Sequence, residues 1–137
     1  MAKRLWVERG ADGVWEGHSD DGAMIRFGRG EGLFTPGDLV QLALAGCAGM
    51  SSQFAVERAL GEGKGAKVVV NARYSDDDDA FLSFDEQVNL DGSDAHLSDE
   101  DADKLVERVT RHIDKSCTVK HTYERETPVR MSVNVRR

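Results

Sequence analysis

Two cysteines, Cys47 and Cys117, are the side chains of this 137-residue chain best suited to covalent chemistry. A thiolate is the nucleophilic form of cysteine, and it persists near neutral pH only where a cation, a base or free helical amides favour it. The two residues lie far apart in sequence, form no CxxC pair and have no metal-ligand spacing around them, which speaks against structural zinc. A purely structural disulfide is disfavoured in a reducing compartment. Two readings remain: small buried hydrophobes, or a pair used for redox chemistry. Arg26 and Arg29 are the nearest cations preceding Cys47 in sequence, although ordinary surface charge explains at least one of them. His112 and His121 are conceivable bases, but a lone histidine in a polar stretch is more often simply exposed. No Ser-His-Asp order supports a hydrolase.

The element that must position Cys47 is a helix. Thr35 is placed to cap it, Pro36 suits its first position, and Asp38 falls in the first turn, where the dipole favours an anion. The pattern predicts a helix to about Leu60, stopped by Gly61. Leu39, Val40, Leu42, Ala43, Leu44, Ala45, Ala48 and Met50 make its first half apolar nearly all round, which predicts a helix buried on every side. Gly46 and Gly49 flank Cys47 closely, and each costs about 1 kcal/mol relative to Ala, so close approach of another element is expected there. Cys47 lies about three turns from the helix start, beyond the reach of the dipole's end effect. It therefore needs a side-chain cation. Cys117 follows a second helix, at the start of a short new turn whose free amides are available to it.

The remaining segments read as strands. Arg4 to Arg9, Val14 to His18 and Ala23 to Phe27 are separated by Asp-Gly turns and predict an antiparallel meander. Gly28 to Gly32 spells GxGxG, which lacks the third glycine position of a dinucleotide fingerprint and follows a meander strand. Ala66 to Tyr74 and Phe81 to Leu90 predict a hairpin, the second strand alternating at Leu82, Phe84, Val88 and Leu90. Ser98 caps the second helix, whose apolar stripe is Ala102, Leu105, Val106, Val109 and Ile113. Val129 to Val135 alternates strictly and predicts a final strand with one buried face. The order βββ-α-ββ-α-β defines a single α+β domain over residues 1–137. Trp6, Trp15, Phe34 and Phe54 are expected to fill the core or line a pocket.

Composition narrows the function classes. A net charge of −7 argues against nucleic acid as a partner, since phosphate binding wants a basic face. Residues 76–103 hold twelve acidic side chains and no Lys or Arg, whereas residues 104–137 hold nine basic and four acidic ones. A solvated acidic hairpin and helix start explain this, and acidic and basic segments meeting across a subunit interface is the sharper alternative. No uninterrupted apolar run reaches the roughly 20 residues of a membrane span, and no secretory signal pattern opens the chain, so a cytoplasmic protein without a membrane partner is expected.

Three pieces together resemble the OsmC/Ohr family of osmotically inducible and organic hydroperoxide resistance proteins, nearest its OsmC-like branch. They are the Pro-led helix Thr35-Pro-Gly-Asp-Leu-Val-Gln-Leu-Ala-Leu-Ala-Gly-Cys47, the run Cys117-Thr-Val119 after the second helix, and the pair Arg26-Phe27 ahead of the first. The resemblance implies an intertwined homodimer, two central helices wrapped by sheet from both chains, with its sites at the subunit interface. It implies a thiol-dependent peroxidase for organic hydroperoxides: Cys47 as nucleophile passing through a sulfenic acid, Cys117 as resolving thiol forming the Cys47–Cys117 disulfide, and Arg26 stabilising the thiolate. An external dithiol would supply the reductant, and neither flavin nor metal is needed. The chain departs from the family where a Glu ordinarily follows the helix-opening Pro and braces the Arg. Gly37 stands there, leaving Asp38, or Glu31 in the preceding loop, to substitute. The alternative reading is a non-catalytic or weakly active dimer binding a small apolar ligand at the subunit interface.

Overall fold

The computed structural model describes residues 3–136. The chain divides into two compact units, Met1–Ala43 and Leu44–Arg137.

In the first unit, strands β1 (Leu5–Arg9), β2 (Trp15–Ser19) and β3 (Met24–Phe27) form the expected antiparallel meander in the order β1-β2-β3. The Gly10–Gly13 turn closes with Gly10 N–H donating to the Val14 carbonyl at 2.8 Å, and Gly13 sits at φ +84°, a conformation costly for any residue with a Cβ. Gly17 lies opposite Ile25, whose Cγ1 would stand 3.2 Å from an added Cβ, so the sheet face is flat there for a packing reason.

Helix α1 runs from Pro36 to Leu60. Its start is a reciprocal cap: Asp38 N–H donates to Thr35 Oγ1 at 3.2 Å, and Thr35 N–H donates to Asp38 Oδ2 at 2.9 Å. Its end is set by Gly61 at φ +118°. The helix is long and apolar enough, by length and composition, to cross a membrane, although polar residues such as Gln41 and Gln53 interrupt its apolar run. It is not buried all round. Leu44, Ala45, Ala48, Ser52, Ala55, Val56 and Leu60 form the buried face. Leu42, Met50 and Phe54 stay exposed, Met50 at 83%. Among the described residues nothing lies within 4 Å of a Cβ built on Gly46, and Gly49 meets only ordinary contact with Val68, so the expected close approach does not occur among them.

In the second unit, β4 (Lys67–Ser75) and β5 (Ala80–Asn89) pair as an antiparallel hairpin with a register shift between Arg73 and Tyr74. Helix α2 spans Asp99–Ser116 and opens on Ser98, whose Oγ accepts from Asp101 N–H at 3.1 Å. A short helix α3, Thr118–Tyr123, follows at once. The core joins Ala48, Ala55, Val56 and Leu60 of α1 to Leu105, Val109 and Ile113 of α2 and to Cys117, with Val68, Val88 and Leu90 of the hairpin packed against it. Val106 drops out of the expected stripe and is 61% exposed.

Two further expectations are corrected. Residues Val129 to Val135 form no strand, and Val129, Met131, Val133 and Val135 are all exposed. Alternation makes a segment amphipathic, but a strand exists only where another edge offers hydrogen bonds, and this segment is unpaired among the described residues. The aromatic residues also stay outside the core: Trp6, Trp15, Phe34 and Phe54 remain substantially exposed, so the core half of that expectation fails, while Trp6, stacked on His18 with centroids 5.6 Å apart, and Phe54 each line a pocket.

Candidate functional site

The second unit brings Cys47 and Cys117 together. Cys47 is half-buried in α1, and Cys117 is fully buried at the junction of α2 and α3, both as free thiols. Cys117 closes one helix and opens the next: its N–H donates to the Ile113 carbonyl at 3.0 Å, and its Sγ accepts from Lys120 N–H at 3.4 Å. The short second turn was foreseen as an aid to Cys117. Its larger role is toward Cys47.

The Cys47 thiol faces the start of α3. Burial disfavours its thiolate, but the backbone N–H of Val119, the Cys117 thiol, the Ser51 hydroxyl and the Thr118 N–H, all close to it, together pull its pKa below the ordinary thiol value; the Ser51 hydroxyl itself donates to the Cys47 carbonyl at 2.6 Å. Free amides at a helix start carry partial positive charge, so they do what a cation was expected to do. Cys117 is shifted the other way. Burial pushes its pKa up, the Lys120 N–H opposes this, and the neighbouring Cys47 and the charge of Glu86 raise it further. The pair is therefore asymmetric: Cys47 is shifted toward easier ionisation and Cys117 away from it. Two neighbouring thiols, one more easily ionised than the other, can be oxidised stepwise to a disulfide.

The other residues singled out from the sequence have different partners. Arg26, on β3, pairs with Asp12 at 2.5 Å, both half-exposed. Asp38 is committed to the Thr35 cap, so the carboxylate on Arg26 is that of Asp12 rather than Asp38. Arg29 and Glu31 are exposed in the loop after β3. His121 is anchored by its ring to the Asp114 carbonyl at 2.6 Å. No group of three or more His, Cys, Asp or Glu capable of holding a metal occurs among the described residues.

The family model for OsmC-like proteins matches residues 28–132. The chain belongs to the OsmC-like protein family. Uncharacterised proteins of Mycobacterium tuberculosis and Mycobacterium bovis are 33% identical to it over 132 residues, covering 95% of each chain. An OsmC-like protein from Mycoplasma pneumoniae superposes with a TM-score of 0.65 at 14% identity, over 90% of this chain and 88% of the other. The organic hydroperoxide resistance protein OhrB of Bacillus subtilis does so with a TM-score of 0.55 at 18% identity, over 89% and 90%. Both likenesses are of fold. The OsmC-like assignment accords with the α+β element order and with the resemblance carried by the helix around Cys47.

Two features beside the cysteine pair of this OsmC-like chain were not among the residues read from the sequence. The amides of Thr118 and Val119 carry no side-chain signature, and only the fold aims them at Cys47. Glu86 had a signature. It stands at an inward position of the β5 alternation, between Phe84 and Val88, where an apolar residue was due.

Proposed function

We propose that this protein is a thiol-dependent peroxidase that reduces organic hydroperoxides. The observation that carries the reading is the Cys47–Cys117 contact with its opposed ionisation. The Cys47 thiolate attacks the terminal peroxide oxygen. The O–O bond breaks, sulfur is oxidised to a sulfenic acid, and the departing alkoxide takes a proton to leave as an alcohol. Cys117 Sγ then bonds to Cys47 Sγ as the S–O bond breaks, its proton leaving with the hydroxide as water. An external dithiol returns two electrons and two protons. Arg26 carries over from the family resemblance as the group that orients the peroxide, with Asp12 as its resting partner.

The reading includes a homodimer in a reducing, cytoplasmic setting. In support, the chain leaves Leu42, Met50 and Phe54 of α1 and the alternating Val129, Met131, Val133 and Val135 exposed, more apolar surface than a monomer ordinarily carries in such ordered rows.

The deciding experiment is thiol titration and intact mass before and after one equivalent of cumene hydroperoxide. Loss of both thiols with a mass lower by two hydrogens is expected. Two surviving thiols with unconsumed peroxide would end the peroxidase reading.

A second reading rests on one observation in the first unit. Leu5, Trp6, Val7, Met24 and Ile25 line an open apolar groove of about 470 Å³ on the three-stranded sheet. A groove of that size fits a small apolar ligand. Thermal stabilisation by such a ligand, unchanged in Cys47→Ser, would support binding without catalysis.

A further inference from the structure

The alternation of β5 sets Phe84, Glu86 and Val88 on one face of the strand, with Leu90 just past its end. Val88 and Leu90 pack against the core cluster that contains Cys117. Phe84 meets the ring of Tyr123, on α3, with centroids 5.4 Å apart. Glu86 therefore projects between two side chains fixed against the Cys117–α3 corner, with Val70 of β4 opposite it in the register. Its Oε1 is buried and has no hydrogen-bond partner among the described residues. The cation on α3 that faces it, Lys120, is already bonded to Glu124 at 3.0 Å and to Asp114 at 3.6 Å.

A buried carboxylate oxygen without a partner is costly, and an apolar side chain would satisfy this position on packing grounds alone. Such a group beside a reactive pair is a candidate for tuning it. The charge of Glu86 acts on Cys117 across this corner.

We propose that Glu86 reinforces the division of roles within the cysteine pair: its unpartnered carboxylate, on the strand face packed against Cys117, helps keep Cys117 the neutral S–H partner of Cys47. The proposal rests on the two-thiol reading of the site but not on the identity of the oxidant. Burial of Cys117 and the amides beside Cys47 already favour this division, and the Glu86 charge adds to it on the Cys117 side. Cys47 itself contributes in the same direction while it is anionic. Its oxidation to a sulfenic acid removes that charge, so Cys117 becomes easier to ionise at the step in which it must attack. Glu86 is thus a positioning residue that acts through Cys117. The groups facing it are Cys117, Lys120 and, through Phe84, Tyr123. Burial raises its own pKa and Lys120 opposes this, so its influence is present above its own midpoint and is lost as pH falls through it.

The test is the ionisation midpoint of Cys117, read from thiolate absorbance in Cys47→Ser and in Cys47→Ser/Glu86→Gln. The midpoint is expected to fall by about one pH unit when the charge is removed, the size of effect a nearby like charge produces. Glu86→Asp should retain most of it. In the two-cysteine protein, Glu86→Gln should cut the ratio of Cys47 to Cys117 alkylation rates, measured by peptide mass, by about tenfold, the same shift expressed as a rate ratio. Should Glu86→Gln fold poorly, Glu86→Leu removes the charge while filling the apolar corner. An unchanged midpoint in a natively folded neutral variant overturns the proposal. A protein that ignores cumene hydroperoxide but whose Cys117 midpoint moves with Glu86 retains this inference and loses only the peroxidase reading.

Discussion

The thiol of Cys47, in the middle of α1, lies beside the backbone N–H of Val119 in the first turn of α3, and that amide lowers its pKa. A mid-helix cysteine has no free amides of its own, because its helix uses them internally. It borrows them from a second helix start. This explains how a half-buried thiol in an Ala- and Gly-rich helix is made acidic despite the burial that opposes ionisation.

The first prediction concerns pH. Iodoacetamide alkylation of Cys47 should reach half its maximum below the ordinary thiol midpoint of about 8.5, and that of Cys117 above it. Because the Cys47 pKa is depressed on folding, its thiolate stabilises the fold above the ordinary thiol range. That contribution is lost as pH falls through the folded midpoint. Peptide mapping of alkylation against pH checks the order. A Cys117 that labels first would contradict it.

Removing one amide should be felt at Cys47. Thr118 occupies the first position of α3, where proline is tolerated, and Cys117 before it is already extended at φ −82°, ψ 93°. Thr118→Pro should therefore fold normally and raise the Cys47 midpoint by a few tenths of a pH unit, since the Val119 N–H remains. The same alkylation profile measures it.

Arg26 is expected to act on peroxide rather than on folding. Its pair with Asp12 is exposed, and such pairs contribute at most about 1 kcal/mol. Arg26→Ala should leave the melting temperature nearly unchanged while lowering kcat/KM for cumene hydroperoxide by about tenfold or more, in the range of a lost electrostatic contact at a reacting centre. Asp12→Ala should not lower it.

Association should follow the apolar surface. The protein is expected to run as a dimer by light scattering, and Met50→Glu, on the exposed face of α1, should shift it toward monomer. Truncation after residue 126 should do the same by removing the exposed valines. A wild-type monomer at micromolar concentration would refute this.

Core and surface positions of α2 should separate cleanly. Leu105 is 5% exposed within the α1–α2 core, so Leu105→Ala should cost about 2–5 kcal/mol in urea unfolding. Val106, one residue on and 61% exposed, should cost less than about 0.5 kcal/mol on the same substitution.

Much of the architecture was legible because local physics is written in local sequence. Thr35, Pro36 and Asp38 mark the start of α1, Gly61 its end, Ser98 the start of α2, and the Asp-Gly pairs the turns of the meander. The two cysteines stood out by residue type, and the turn after Cys117 by the break between two helical stretches. Periodicity was less reliable where it needed a partner. The strict alternation of Val129 to Val135 specifies a two-faced segment, but pairing is a relation between two edges. The apolar circumference of α1 likewise states what could be buried, not how much this chain covers.

Sequence alone determined the elements, the family likeness and the candidate nucleophiles, since these depend on residue types and near-neighbour spacing. Only the tertiary structure decided that Cys47 meets Cys117, that the Val119 amide favours the Cys47 thiolate, that Asp12 and not Asp38 pairs with Arg26, and that Glu86 lies near Cys117 with its Oε1 unpartnered among the described residues. The reason is physical. Backbone amides are identical in every residue but proline, and their chemistry changes only when folding aims them. The ionisation of a thiol depends on the charges and burial around it in space, which chain order does not specify.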